Sequence, residues 1–226
     1  MHTIFVDRND AGRQLAQRLV HYRGQDCLVL GIPRGGVPVG YEISKALECP
    51  LDVIVPRKLP IPWSPEAGFG AVMPDGTRVL NEEMVAALGL TEAQIEAIAR
   101  QVVAEVQRRE WIYRGDRPPP RIEGRTVILV DDGLATGYTM IAGALATRKQ
   151  HPKELVVAVP VSPRGTAAEM RRVADTVVIV HVSDAMPFGV AMFYHSFTDM
   201  ADAEVKYWLD RAAEERPEAG EEKRAA

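Results

Sequence analysis

Five short apolar runs constrain this chain more than anything else in it: Cys27–Ile32 (CLVLGI), Leu51–Pro56 (LDVIVP), Thr126–Val130 (TVILV), Leu155–Val159 (LVVAV) and Thr176–His181 (TVVIVH). None of them alternates apolar with polar residues along most of its length, as a strand with one wet face would. Continuous apolar runs of this length belong to strands buried on both sides, the hallmark of a parallel sheet. Helical patterns separate them, over residues 37–47, 138–150 and 166–173, the last opening with the capping box Thr166-x-x-Glu169. A further helix, capped by Asn9 or Asp10 and running to His21, precedes the first run, and another over 201–213 follows the last. Strand and helix in alternation predict an α/β fold, a doubly wound and mainly parallel sheet flanked by helices. Ligands bind such sheets outside the carboxyl ends of the strands. The loops after Ile32, Pro56, Val130, Val159 and His181 are therefore where chemistry is expected.

The rhythm breaks between residues 57 and 124. Residues 59–76 are rich in Pro and Gly and predict a loop with little regular packing, apart from a short hairpin pairing 70–73 with 78–80 around Pro74-Asp75-Gly76. Two helices follow, over 81–88 and 91–113, the second opened by the capping box Thr91-x-x-Gln94, and Pro118–Pro120 ends the excursion. Its charged segment around Arg108, Arg109 and Glu110 reads as a solvated helix face, a subunit contact or a shield over a site. The expected organisation is one domain over 1–213, with 57–124 as an insertion, an irregular aromatic-rich segment at 183–199, and a disordered charged tail at 214–226.

Composition narrows the classes. A net charge of −4, with acids and bases interspersed, argues against a nucleic-acid partner. No apolar run approaches the roughly 20 residues of a membrane span. The start of the chain shows no basic-then-apolar leader, so a cytoplasmic setting is expected. Cys27 and Cys49 form no CxxC pair and read as small buried thiols in a reducing compartment.

The chemistry concentrates in Val127–Met140, VILVDDGLATGYTM. A buried strand delivers two adjacent carboxylates, Asp131 and Asp132, and a loop of small and hydroxyl residues then runs into a helix. Backbone N–H groups at the helix start, with the Thr136 and Thr139 hydroxyls, suit a phosphate. Two acids beside a phosphate need another task, such as accepting bonds from sugar hydroxyls or assisting a magnesium ion. A phosphate site beside a diol site describes a ribose 5-phosphate. Gly31-Ile32-Pro33-Arg34-Gly35-Gly36 ends the first strand, and its glycines let backbone approach a ligand while Arg34 offers a fixed charge to phosphate oxygens. Arg57 and Lys58 close the second run, either as a solvated pair or as neutralisers of a second anion.

The segment 127–140 closely resembles the phosphoribosyl pyrophosphate motif of type I phosphoribosyltransferases: apolar strand, two acids, then a small-Thr-Gly-x-Thr loop. Tyr138 and Gly133 depart from that pattern, and the Tyr138 side chain either points away from the phosphate or narrows the pocket. The resemblance implies that Ala135, Thr136, Gly137, Tyr138 and Thr139 hold the 5-phosphate and that Asp131 and Asp132 hold the ribose hydroxyls. It implies further that Arg34, Gly35 and Gly36 bind the pyrophosphate through a strained peptide near Arg34–Gly35, with Arg57 and Lys58 helping it leave. Residues 59–76 correspond to a mobile loop that excludes water; Glu66 within it carries no assigned role. Residues 183–199 correspond to a hood over the acceptor, with Asp184 for hydrogen bonding and Phe188, Phe193 and Tyr194 for stacking. Arg164 reads as a loop-and-cap residue, and His195 as a packed or surface histidine. The implied reaction transfers ribose 5-phosphate from phosphoribosyl pyrophosphate, with Mg²⁺, to a nucleobase or other nitrogen acceptor in a homodimeric enzyme of nucleotide metabolism. The alternative is a regulator that senses phosphoribosyl pyrophosphate or a nucleotide without turnover. No P-loop, dinucleotide fingerprint, zinc-protease helix, nucleophile elbow or Cys/His metal spacing is present.

Overall fold

A computed structural model describes residues 3–215, without the side chains of residues 65 and 66. Five strands form a wholly parallel sheet: β1 (Cys27–Gly31), β2 (Leu51–Val53), β6 (Thr126–Val130), β7 (Glu154–Pro163) and β8 (Thr176–Ser183), in the order β2-β1-β6-β7-β8. The two-sided burial expected of the apolar runs is seen in the three inner strands β1, β6 and β7, whereas the edge strands β2 and β8 are mostly half-buried. Val29, Ile128, Val130, Val156 and Ala158 point to one face, under α1 (Arg8–Leu19) and α2 (Gly36–Leu47). Their neighbours Leu28, Leu30, Val127, Leu129, Leu155 and Val157 point to the other, under α5 (Tyr138–Arg148) and α6 (Arg164–Met170). Alternate residues thus feed two cores, which is why no polar face shows in the sequence. Cys27 and Cys49 are both buried free thiols. No helix among the described residues is long and apolar enough to cross a membrane.

Several boundaries differ from expectation. Asp7, rather than Asn9 or Asp10, caps α1, its carboxylate accepting from the Asp10 N–H. The second strand stops at Val53, so Arg57 and Lys58 do not end it; they open a new strand. Helix α6 starts at Arg164, so Thr166 is not its cap, and its hydroxyl instead donates to the Ala135 carbonyl at 2.7 Å.

The largest correction lies in the stretch expected to pack little. Residues 57–80 form an antiparallel sheet of β3 (Arg57–Ile61), β4 (Ser64–Val72) and β5 (Arg78–Leu80), which contains the expected β4–β5 hairpin and adds the β3–β4 pairing to it. Leu59, Ile61, Phe69 and Val72 build a third core with Ile95, Ala99, Val102 and Val106 of α4 (Glu92–Arg114) and with Val205 and Leu209 of α7 (Asp202–Glu214). Pro60 and the glycines masked these strands. Pro60 sits where the register of β3 shifts, and Gly70 lets the Val79 carbonyl pass within 2.3 Å of where a Cβ would be. Asn81 caps α3 (Glu82–Leu88), and the Thr91–Gln94 capping box opens α4. Of the expected tail, Glu214 ends α7 and Glu215 accepts a hydrogen bond from the Tyr41 hydroxyl, while residues 216–226 lie outside the described residues.

Candidate functional site

Strands β1 and β6 are neighbours with Gly31 opposite Val130, so the loops that leave their carboxyl ends face each other. The Ile32 N–H donates to the Val130 carbonyl at 2.8 Å and continues the pairing into the loops. The glycines of Pro33-Arg34-Gly35-Gly36 are explained by this apposition. A Cβ on Gly35 would stand 1.8 Å from Asp132 Oδ2, and one on Gly36 would stand 2.5 Å from the Val130 carbonyl oxygen and 2.9 Å from Asp131 Cα. Backbone therefore packs directly on the acid pair, and α2 starts against the end of β6. The unusual peptide of this loop is the cis bond Pro33–Arg34, one residue before the position expected.

Asp132 is tied down from three sides. Arg8 Nε donates to its Oδ2 at 2.7 Å, the Tyr194 hydroxyl donates to its carbonyl at 2.6 Å, and its own N–H bonds Asp131 Oδ1. Arg8 is fixed in turn by the Thr198 carbonyl at 2.8 Å and by the Phe197 ring, 3.9 Å below the guanidinium. Sequence reasoning missed Arg8. Its one signal was a cation in the first turn of a helix, where the macrodipole disfavours it. Burial, reinforced by the Asp132 charge, pushes the Asp131 carboxyl well above the usual carboxylate range. Burial raises Asp132 as well, and Arg8 pulls it back. Asp131 is thus the more strongly raised member of the pair, with the Asp132 N–H as its hydrogen-bond donor and Arg8 acting on it only at a distance.

The loop that follows leads into α5. The Leu134 N–H donates to the Val161 carbonyl, and Thr166 holds the Ala135 carbonyl from α6. Gly137 has φ 79°, which favours glycine, and a Cβ there would meet Thr166 and Met170 at 2.8 and 2.9 Å. No side chain caps α5, so its first N–H groups are left to another acceptor. Ala135 and Thr136 are exposed at the loop surface. Tyr138 is half-buried and packs against the core cluster that α5 covers.

A cleft of about 790 Å³ opens over these loops, bounded by Arg34, Arg57, Lys58, Asp131 and Thr139 together with Val102 and Glu105 of α4. The structure thus brings together Arg34, Arg57, Lys58, Asp131 and Thr139, whereas Gly35, Gly36, Asp132 and residues 135–138 are not among the residues that line this cleft. It also adds a residue that sequence did not assign to the site: Glu105 Oε1 lies 2.9 Å from Arg57 Nη2 and 3.2 Å from Arg109 Nη2.

The 183–199 segment behaves differently from expectation. Phe193 and Tyr194, read as acceptor-stacking rings, are buried with Phe5, Ala11 and Val161, their rings packed against His181, Phe188 and Phe197. Their faces are committed to the core, which corrects that reading for these two residues. Phe188 is half-buried at the edge of the same cluster. Asp184 is exposed and takes two hydrogen bonds from Arg164, at 2.8 and 2.6 Å; the guanidinium holds its carboxyl below the usual range. His195 is exposed, and its N–H donates to the Phe5 carbonyl.

The family model for the phosphoribosyl transferase domain matches residues 75–194. A protein of Mycobacterium tuberculosis H37Rv named as a proposed phosphoribosyl transferase, Rv0571c, is 44% identical over 217 residues, and so is its counterpart in strain CDC 1551. The match takes in 96% of this chain but 49% of theirs, so the chain spans about half the length of the curated relatives it matches. The crystal structure of TT1426 from Thermus thermophilus is 34% identical with a TM-score of 0.75, over 91% of this chain and 97% of that one. The family match begins after Arg34-Gly35-Gly36, so for that loop the geometry above is the independent argument.

Proposed function

This chain belongs to the phosphoribosyl transferase family, and from that premise we propose that it transfers ribose 5-phosphate from phosphoribosyl pyrophosphate to a nitrogen acceptor, releasing pyrophosphate. The observation that carries this reading is the single cleft in which Arg34, Arg57 and Lys58 stand over Asp131 and Thr139, next to the uncapped start of α5. Two anion sites flanking a carboxylate pair match a sugar with a phosphate at one end and a diphosphate at the other.

The α5 N–H groups and the Thr136 and Thr139 hydroxyls bind the 5-phosphate. Asp131 and Asp132 accept from the ribose hydroxyls, and the Arg8 contact fixes the orientation of Asp132. As the bond from C1 to the pyrophosphate oxygen breaks and the C1–N bond forms, the sugar gains positive charge, which the acid pair stabilises. The electron pair leaves with pyrophosphate, whose charge is met by Arg34, Arg57 and Lys58. The donor set also fits magnesium in one particular way. No group of three or more His, Cys, Asp or Glu able to hold a metal exists among the described residues. Asp131, however, presents a hard oxygen at the cleft, and Mg²⁺ is commonly held by one or two carboxylates plus substrate phosphates. When bound, the ion would add positive charge against the leaving group. The acceptor would enter near Asp184 and Phe188; a nucleobase is the expected class and a homodimer the expected assembly, both from family resemblance, and the cytoplasm is the setting expected from the sequence.

The test is calorimetric titration of phosphoribosyl pyrophosphate with Mg²⁺ into wild type and the Asp131→Asn/Asp132→Asn variant, followed by pyrophosphate release over a panel of nitrogen heterocycles. Binding by wild type alone, and release with at least one acceptor, is the expected result. Absence of binding by wild type overturns the reading. Binding without release from any acceptor leaves a sensor in place of an enzyme.

A further inference from the structure

The helical insertion carries charge into the cleft that the reading above does not use. On α4, Val102, Glu105, Arg109 and Tyr113 follow one another at spacings of three and four and so share a face. That face reaches the rim, where Glu105 and Val102 line the cleft beside Arg57. One carboxylate oxygen, Glu105 Oε1, serves two guanidinium groups, from Arg57 and Arg109. Arg57 and Glu105 are 36% and 39% exposed, too wet for their pairing to matter much to stability. Arg109 is more enclosed, and its Nε is buried with no hydrogen-bond partner among the described residues. Arg109 does not itself line the cleft and is joined to it through Glu105. On the same face the Tyr113 hydroxyl donates to Asp202 at 2.6 Å and ties α4 to α7. Two arginines share one carboxylate at this rim, and Arg34 lines the same cleft.

We propose that Glu105 and Arg109 extend the pyrophosphate site onto α4, with the Glu105 carboxylate standing between Arg57 and Arg109 as an internal substitute for the pyrophosphate and re-forming those ion pairs as the product leaves. This inference rests on the transferase reading and deepens it. A pyrophosphate carries enough oxygens to engage both arginines and so takes over the position of the carboxylate. Glu105 is then a positioning residue: it holds both guanidinium groups at the rim, and it weakens the hold on pyrophosphate by competing for them. A purely structural Glu105 would have the opposite effect, because losing it would free the arginines to wander and so weaken anion binding.

The opposite signs make the test. Inorganic pyrophosphate with Mg²⁺ is titrated into wild type, Glu105→Gln, Arg57→Gln and the Arg57→Gln/Glu105→Gln double variant, each checked for an unchanged melting temperature. Glu105→Gln is expected to bind pyrophosphate roughly two- to fivefold tighter than wild type, the scale of an exposed ion pair. The gain should shrink when Arg57 is already gone, because half of the competition has been removed. In turnover with a competent acceptor, Glu105→Gln should lower KM and kcat together, as a slower release of product does. Unchanged or weaker pyrophosphate binding by Glu105→Gln, with wild type binding normally, overturns the inference and leaves the transferase reading standing. Failure of wild type to bind pyrophosphate at all overturns both.

Discussion

Beside Asp131, in the loops that floor the cleft, Asp132 meets Arg8 at 2.7 Å with side chains 15% and 13% exposed and outside the cleft lining, whereas at the rim Arg57 meets Glu105 at 2.9 Å with both more than a third exposed. The two pairs look alike by distance and differ in everything that decides their energetics. At the floor, backbone from β1 and β6 closes on the acids, the Arg8 guanidinium stacks on Phe197, and there is no room for a methyl group on Gly35 or Gly36. At the rim the partners are long side chains on a β-ribbon and a helix, screened by water and free to exchange. A site that must hold a sugar in one orientation and then release a polyanion needs both kinds of surface. The floor fixes geometry, and the rim can change partners.

The largest expected break in that comparison comes from Gly36→Ala. The added Cβ would lie 2.5 Å from a backbone carbonyl and 2.9 Å from Asp131 Cα, neither of which can swing aside. Overpacking of this kind costs about 2 kcal/mol, and for a chain of this size that lowers the melting temperature by roughly 4–8 °C. Because α2 and the end of β6 would be pushed apart, binding of phosphoribosyl pyrophosphate should fall with it. A thermal melt and a titration on the same preparation check both, and a variant that melts like wild type would show the apposition of the two loops to be loose.

A second prediction separates function from stability on the floor itself. Asp131 has its carboxyl raised by burial and by Asp132, so its ionised form is the one the native state disfavours. The sign follows by linkage. Above the raised folded value the native carboxylate is charged and costs stability; below the ordinary unfolded value it is protonated in both states and costs nothing. Asp131→Asn should therefore raise the melting temperature at neutral pH. The gain should shrink as pH falls through the raised range and vanish below the usual carboxylate range. The same variant should lose phosphoribosyl pyrophosphate binding. Melting curves at several pH values read the first effect, and a lower melting temperature at neutral pH would mean that Asp131 is stabilised by contacts its surroundings do not reveal.

The floor and the rim also differ in how far they can be read from sequence. The parallel sheet announces itself because burial on both faces leaves continuous apolar runs, and 126–130 was delimited to the residue. The acid pair and its loop are contiguous, so their register is visible in one line of sequence. The rim is assembled from distant parts. β3 contains Pro60, β4 contains Gly68 and Gly70, and their core is completed only by α4 and α7, so no local period marks them as strands. Glu105 is one charge among many on a long helix and gains meaning only when Arg57 arrives beside it. Arg8 shows the same limit on the floor: it sits 124 residues from its partner, and nothing near it in the chain points there. Phe193 and Tyr194 show the converse, since an aromatic cluster reads alike whether its rings are open to a ligand or closed into a core.

The smallest effect, and the sharpest contrast with Gly36, is expected from Gly68→Ala on β4. By distance alone the clash looks as severe, since the new Cβ would lie 2.2 Å from Lys58 Cγ. The atom it meets, however, belongs to a flexible side chain that can rotate away, while the nearest backbone atom, the Leu59 carbonyl oxygen, is 3.1 Å off. Stability should then fall by about 1 kcal/mol, less than at Gly36, because Lys58 must leave its rotamer and the half-buried strand must give slightly at the Leu59 carbonyl. What moves is the Lys58 ammonium, which lines the cleft. Pyrophosphate affinity should fall about two- to threefold, in keeping with the loss of one exposed charge contact, and its salt dependence should become shallower because one fewer cation faces the ligand. Titrations at two ionic strengths, set beside a melt, measure all three. If Gly68→Ala instead unfolds the protein as Gly36→Ala is expected to, the rim is as rigid as the floor and the division of labour between them fails.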